Sequence, residues 1–154
     1  MRFRRLLGLF LLFTLLAMFG CGGGDGVHQP TKATVKLATA GTLPADTLIC
    51  GIQTTLNYST DVGLAIAADD VVASGVGAGS VFTPNTSTIG QVGISLINTE
   101  GIPIGEFATA TFGIAAGNFP TPTDFSVAPG SAVLDVCGNQ IPDISVVISS
   151  LTIQ

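Results

Sequence analysis

From Thr31 to Gln154 apolar residues recur at every second position in short segments, and Gly, Pro, Asn or Asp closes each segment after about ten residues. No stretch of useful length repeats apolar residues at the spacing of an amphipathic helix. Alternate side chains of a strand point to opposite faces, so this pattern describes half-buried strands covered on one side only. Val35 and Leu37 alternate with Thr34 and Lys36, and Cys50, Ile52, Thr54, Leu56 and Tyr58 share one face of a segment spanning 48–58. Further strands are predicted over 62–67, 70–73, 80–83, 91–98, 107–115, 125–128, 132–136 and 145–153. Turns are predicted at Asn85-Thr86-Ser87, Thr99-Glu100-Gly101, Ala116-Gly117-Asn118, Pro129-Gly130 and Gly138-Asn139. An all-β antiparallel sandwich follows, either a jelly roll or an immunoglobulin-like sheet pair, and βαβ units are excluded.

Composition narrows the function. The chain is 47% hydrophobic and 10% charged, which fits one compact domain rather than disorder. Arg2, Arg4 and Arg5 open the chain, and only Lys32 and Lys36 are basic afterwards, against ten acidic residues from Cys21 onward. Without arginine to neutralise phosphates, nucleic acid is excluded as a partner, and so is attraction to anionic lipid. His28 is the one histidine, and it lies before the domain in a glycine-rich stretch. No imidazole therefore serves general-base or metal chemistry in the folded part, and no catalytic residue, metal site or cofactor is expected.

Residues 1–20 form a basic head ending at Arg5, an apolar run from Leu6 to Phe19, and Gly20 in front of Cys21. This is a secretory signal layout, too short for the ~20 residues of a membrane-spanning helix. Leu16-Ala17-Met18-Phe19-Gly20-Cys21 resembles the lipobox of bacterial lipoproteins, with departures at Met18 and Phe19. The resemblance implies that Cys21 is lipidated and becomes the first residue; the glycine run that follows makes residues 21–30 a tether, and the change to short β-rich segments makes residues 31–154 the domain. Gly22 is not the aspartate that resembles an inner-membrane retention signal, so an outer-membrane location is expected.

Four blocks extend the resemblance into the domain: Gly51-Ile52-Gln53-Thr54-Thr55-Leu56-Asn57-Tyr58-Ser59, Gln91-Val92-Gly93-Ile94-Ser95-Leu96, Gly105-Glu106-Phe107-Ala108-Thr109-Ala110-Thr111-Phe112 and Asp135-Val136-Cys137-Gly138-Asn139-Gln140-Ile141-Pro142. In order and spacing they resemble the successive strand signatures of cohesin domains. The resemblance implies a jelly roll of about nine strands that recognises another protein, such as a dockerin-like partner, through one sheet face. Cys50 and Cys137 are not hallmarks of that family, and the chain has no dockerin-like calcium repeat.

Candidate sites are few. Asp69 and Asp70 are adjacent and in a strand would face opposite sides, so they cannot act as a catalytic pair. Asp135, Asn139 and Asp143 offer oxygen ligands, but not at the dense spacing of a calcium loop. Gly75-Val76-Gly77-Ala78-Gly79 lacks the lysine and helix of a phosphate loop and is expected to be a flexible connection. Jelly rolls commonly bind polysaccharide on exposed aromatics. Phe107, Phe112 and Phe125 fall on strands as core residues, which leaves Phe82 and Phe119 beside loops as candidate platforms. Once Cys21 is acylated, Cys50 and Cys137 remain, and export predicts a disulfide between them, with Cys50 facing the interior. The sequence thus points to a non-catalytic binding or scaffolding module of the cell envelope acting through a threonine-rich sheet face, with carbohydrate binding or a purely structural envelope role as the alternatives.

Overall fold

The computed structural model describes residues 28–154. The signal peptide, the lipidation site Cys21 and the tether as far as residue 27 lie outside the described residues. Ten strands form: β1 (Lys32–Gly41), β2 (Ile49–Tyr58), β3 (Leu64–Ala65), β4 (Val71–Ala73), β5 (Val81–Asn85), β6 (Gln91–Ile102), β7 (Glu106–Ile114), β8 (Phe125–Val127), β9 (Ala132–Leu134) and β10 (Ile144–Ile153). Every pairing is antiparallel. One five-stranded sheet runs β10-β1-β7-β3, with β4 also on β7. The other runs β5-β6-β2-β8, with β9 also on β2. The chain changes sheet at β1–β2, β2–β3, β4–β5, β6–β7, β7–β8 and β9–β10, which makes the β-sandwich a jelly roll. The ten strands agree in number with the segments predicted from alternation, one more than the nine that the cohesin resemblance implies, and β8 and β9 occupy one edge of β2 in succession.

The core lies between the sheets, where Leu37, Ile49, Leu56, Val92, Phe107, Phe112 and Val133 are fully buried. β1 follows the predicted alternation, with Val35 and Leu37 inward and Thr34 and Lys36 outward. At the pole holding both termini, Thr31 and Lys32 donate to the Gln154 carbonyl (2.7 and 2.8 Å) and Tyr58, Phe112 and Phe125 cluster. The far pole holds Gly41, paired with Ile144, and Ile49, paired with Ile102. Ten residues of strand separate the poles, about 33 Å.

Three local expectations change. Glu100 and Gly101 were expected in a turn after residue 98, but β6 continues to Ile102 because Ile102 pairs with Ile49. The stretch 75–79 is not a loose connection: Gly75–Gly77 is a 3-10 turn with Gly77 buried against the Phe107 backbone and Leu96. Gly75 has φ +54, and a Cβ there would collide with the Glu106 carbonyl oxygen, so glycine is required. Asp69 and Asp70 sit in a 3-10 turn rather than a strand, where Asp70 Oδ2 accepts the Ala67 N–H (3.2 Å).

Candidate functional site

The two outer sheet faces differ in how their polar groups are used. On the β10-β1-β7 sheet, Lys36 stands opposite Thr109 on β7. Its Nζ donates to Glu106 Oε2 (3.0 Å), Ser74 Oγ donates to Glu106 Oε1 (2.8 Å), and the Ser74 and Thr109 hydroxyls share a hydrogen bond (2.8 Å). These side chains tie β1, β7 and the end of β4 together. The Ser74 hydroxyl first, and then Lys36, hold the Glu106 carboxyl below its ordinary range.

That shift makes stability pH-dependent. The unfolded chain takes up a proton on Glu106 at the ordinary value, while the folded chain resists until lower pH. The stabilisation is therefore present in full above the usual carboxylate range near pH ~4 and is lost as pH falls through the lowered folded value. The Glu106→Gln variant is expected to be less stable than wild type by about 0.5–1 kcal/mol at pH 7, the scale of a partly exposed ion pair. Urea unfolding at pH 7, 5, 4 and 3 should show the gap closing at the acidic end; a gap independent of pH would assign the loss to packing instead.

The outer face of the other sheet is open. The register aligns Thr83, Ser95, Gln53 and Ala132 in one row, and Asn85, Gly93 and Thr55 in the next. Beside them the edge of β2 is interrupted, because β9 pairs with Gly51–Gln53 and β8 with Leu56–Tyr58. The chain between them, 128–131, swings outward, held where Ala128 N–H donates to the Thr55 carbonyl (2.8 Å) and Thr54 Oγ1 meets Ser131 Oγ (2.7 Å). The result is a shallow groove of about 530 Å³ lined by Gln53, Thr55, Thr83, Asn85, Ser95 and Ser131, among others. It contains no charge and no aromatic ring. Pro84 marks β5 as an edge strand, paired with β6 alone.

The sequence-derived candidates fall elsewhere. Phe82 packs partly against the core from β5, because its neighbours Val81 and Thr83 take the outer face. Phe119 is 54% exposed, in the β7–β8 connection at the pole of the termini rather than in the groove. Cys50 and Cys137 are free thiols, Cys50 half-buried and Cys137 exposed, so the expected bridge is not formed. Across the register shift between Ile49 and Gly51, Ile49 is in the core and Cys50 is half-buried, off the inner face it was expected to share with Ile52. The pairing of Gly51 with Leu134, carried one step outward, sets Cys50 opposite Asp135, two residues short of Cys137.

Asp135 itself is a loop former. Its Oδ1 accepts the N–H groups of Cys137 and Asn139 (2.8 Å each) and its Oδ2 accepts from Asn139 Nδ2 (3.2 Å). The Asn139 N–H contributes most to holding this carboxyl below its ordinary range. With its lone pairs committed to the loop, Asp135 is not arranged as a cation ligand with Asn139 and Asp143. Among the described residues no group of three His, Cys, Asp or Glu side chains is placed to hold a metal ion.

No family model matches the sequence and no curated protein matches it. Solved structures do, among them several cohesins. A non-cellulosomal cohesin from the hyperthermophilic archaeon Archaeoglobus fulgidus superposes with a TM-score of 0.56 at 16% identity, over 73% of this chain and 74% of that one. The sixth cohesin of scaffoldin B from Acetivibrio cellulolyticus, solved in complex with a mutant dockerin, gives 0.57 at 15% identity over 73% and 82%. A cohesin module from a family 33 glycoside hydrolase of Clostridium perfringens gives 0.51 at 10% identity over 77% and 94%. The domain therefore has a cohesin-like fold.

Proposed function

We propose that this chain is a lipid-anchored envelope protein whose cohesin-like domain is a non-catalytic module that binds another protein through the outer face of the β5-β6-β2 sheet. The observation that carries this reading is the polar groove on that face. Around Lys36 and Glu106 the side chains bond to one another, while Gln53, Thr55 and Ser95 present neutral donors and acceptors beside the groove. Neutral polar groups on a rigid sheet suit recognition of a second polypeptide, which brings its own donors and acceptors. The Acetivibrio cohesin bound to a dockerin supports a protein partner, of dockerin-like character. Polysaccharide binding has less support, because Phe119, the one well-exposed phenylalanine among the described residues, does not line the groove.

The anchor rests on the sequence. The apolar run ending at Gly20-Cys21 supports lipidation, and Gly22 supports the outer membrane. An extended tether from Gly22 to Pro30 would hold the domain up to about 30 Å from the lipid, with the pole of the termini towards the membrane. One experiment tests both parts: intact cells fed a fatty-acid probe and expressing the full chain with a photo-crosslinking amino acid in place of Thr55 or of Thr111, which lies on the opposite outer face. The expected result is a lipid-labelled chain with a protein adduct from position 55 and little from 111, and loss of label in Cys21→Ser. Equal adducts from both positions, or glycan retention lost in Phe119→Ala, would overturn the protein-binding reading; an unlabelled wild type would overturn the anchor.

A further inference from the structure

Four of the large apolar side chains that remain exposed gather at one end of the same face. Ile97 on β6 stands between Val81 on β5 and Gly51 on β2, and Gly51 is paired in turn with Leu134 on β9. Leu48, just before β2, and Val136, just after β9, border the adjoining hollow around Cys50. Exposures of 50% for Leu48, 69% for Val81, 56% for Ile97 and 77% for Val136 leave a contiguous apolar area with no covering element. It is at the pole opposite the termini, next to Ile49 and Ile102.

The rim of this area is acidic. Asp46, Glu100 and Asp135 line the hollow that holds Leu48 and Val136, and Glu100 also borders Val81 and Ile97. No cation balances them: the described lysines, Lys32 and Lys36, are on β1 in the other sheet, and Lys36 is already paired with Glu106. A second copy of this chain is a poor occupant, because a two-fold contact here would set Glu100 and Asp46 of one copy against the same acids of the other.

Resting on the protein-binding reading above, we infer that the apolar end of the face takes a protein segment bearing apolar side chains flanked by lysine or arginine. The apolar side chains would cover Ile97, Leu134 and Val136, and the basic flank would supply the charge that the rim lacks. The neutral groove around Thr55 then sets register while this end provides most of the buried apolar area.

The test is photo-crosslinking with the full chain in intact cells, with the reactive amino acid placed in turn at Val136, Ile97, Thr55 and Thr111, and the cross-linked peptides sequenced by mass spectrometry. Expected are adducts from 136 and 97 on peptides with apolar residues next to Lys or Arg, and a several-fold lower yield at 136 when Glu100→Lys and Asp46→Asn are introduced together. Neither substitution touches the core, and Asn tolerates the left-handed conformation of Asp46 (φ +60). Adducts at 55 with none at 97 or 136 would overturn this inference while leaving the protein-binding face intact. Adducts to acidic peptides, to a second copy, to glycan or to lipid would overturn it as well. Absence of protein adducts at 55, 97 and 136 alike would overturn both.

Discussion

Phe112→Ala is expected to lower the unfolding free energy by about 3–5 kcal/mol, the usual cost of removing a fully buried ring. Phe112 is wholly enclosed, with its ring centroid 5.0 Å from that of Tyr58 and 5.3 Å from that of Phe125, at interplanar angles of 60° and 66°. Both contacts have the tilted geometry that the ring quadrupoles favour, and each such pair adds about 0.5–1.5 kcal/mol beyond the area it buries. The ring also joins the two sheets, since Phe112 is on β7 in one and its aromatic neighbours are on β2 and β8 in the other. Against a total of about 5–15 kcal/mol for a domain, the loss leaves little folded protein in reserve. Urea unfolding of the chain from Thr31 onward checks it. Phe112→Leu should lose clearly less, because it keeps most of the volume, and a Phe112→Ala loss below about 1 kcal/mol would mean that the cluster collapses to fill the space.

The second large effect is a contrast between two glycines. Gly77→Ala is expected to destabilise by about 1–3 kcal/mol, because its Cβ would press on the Phe107 carbonyl oxygen and lie 2.9 Å from Phe107 Cα and 3.0 Å from Leu96 Cδ1. The Phe107 carbonyl accepts the Ser74 N–H (3.0 Å), so the strain is transmitted to the residue that holds Glu106. Gly113→Ala, also at β7, should instead stabilise by about 0.4–1 kcal/mol. Its Cβ would meet only the Ala65 carbonyl oxygen at 3.9 Å, and alanine loses less conformational freedom than glycine on folding. Paired thermal melts of the two variants decide the matter by sign: a Gly77→Ala melt at or above that of wild type would show that the Gly75–Gly77 turn is not held against β7, and a lowered melt for Gly113→Ala would show that its Cβ is not accommodated.

The cohesin-like blocks quoted from the sequence correspond to β2, β6, β7 and the β9–β10 connection, and so to parts of both sheets. The proposed partner face uses two of them. The groove at Thr55 was not legible beforehand, because it exists only where the β8–β9 connection leaves the edge of β2. The apolar end is assembled from exposed side chains at 48, 81, 97 and 136 and the half-buried Leu134, each of which alone is unremarkable. A useful sign was nonetheless present: Ile97 follows Val92, Ile94 and Leu96 out of phase and so had to face away from them.

What the sequence by itself determined was the set of strands and the inward residues of most of them. Alternation is a local property, since one residue of chain always turns the next side chain to the opposite face. Val35 and Leu37, Val92 and Ile94, and Ala110 and Phe112 are buried as their spacing requires, whereas Phe107, an odd number of residues from Phe112, is buried because the pairing with β1 shifts between Leu37 and Ala38. The absence of arginine beyond the first residues is likewise a matter of composition. Only the tertiary structure decided what depends on two segments meeting. The register shift beside Cys50 comes from β2 pairing with β6 at both Ile97 and Ile102, with the extra residues on β6, and the thiol lies off the inner face. Phe82 turned inward because β5 lies over the core in that register, and Gly75–Gly77 tightened because β7 fills the space where its side chains would be. Period-two patterning sets which side chains share a face, whereas register, bulges and close approach are set by the partner strand, which can be distant in the chain.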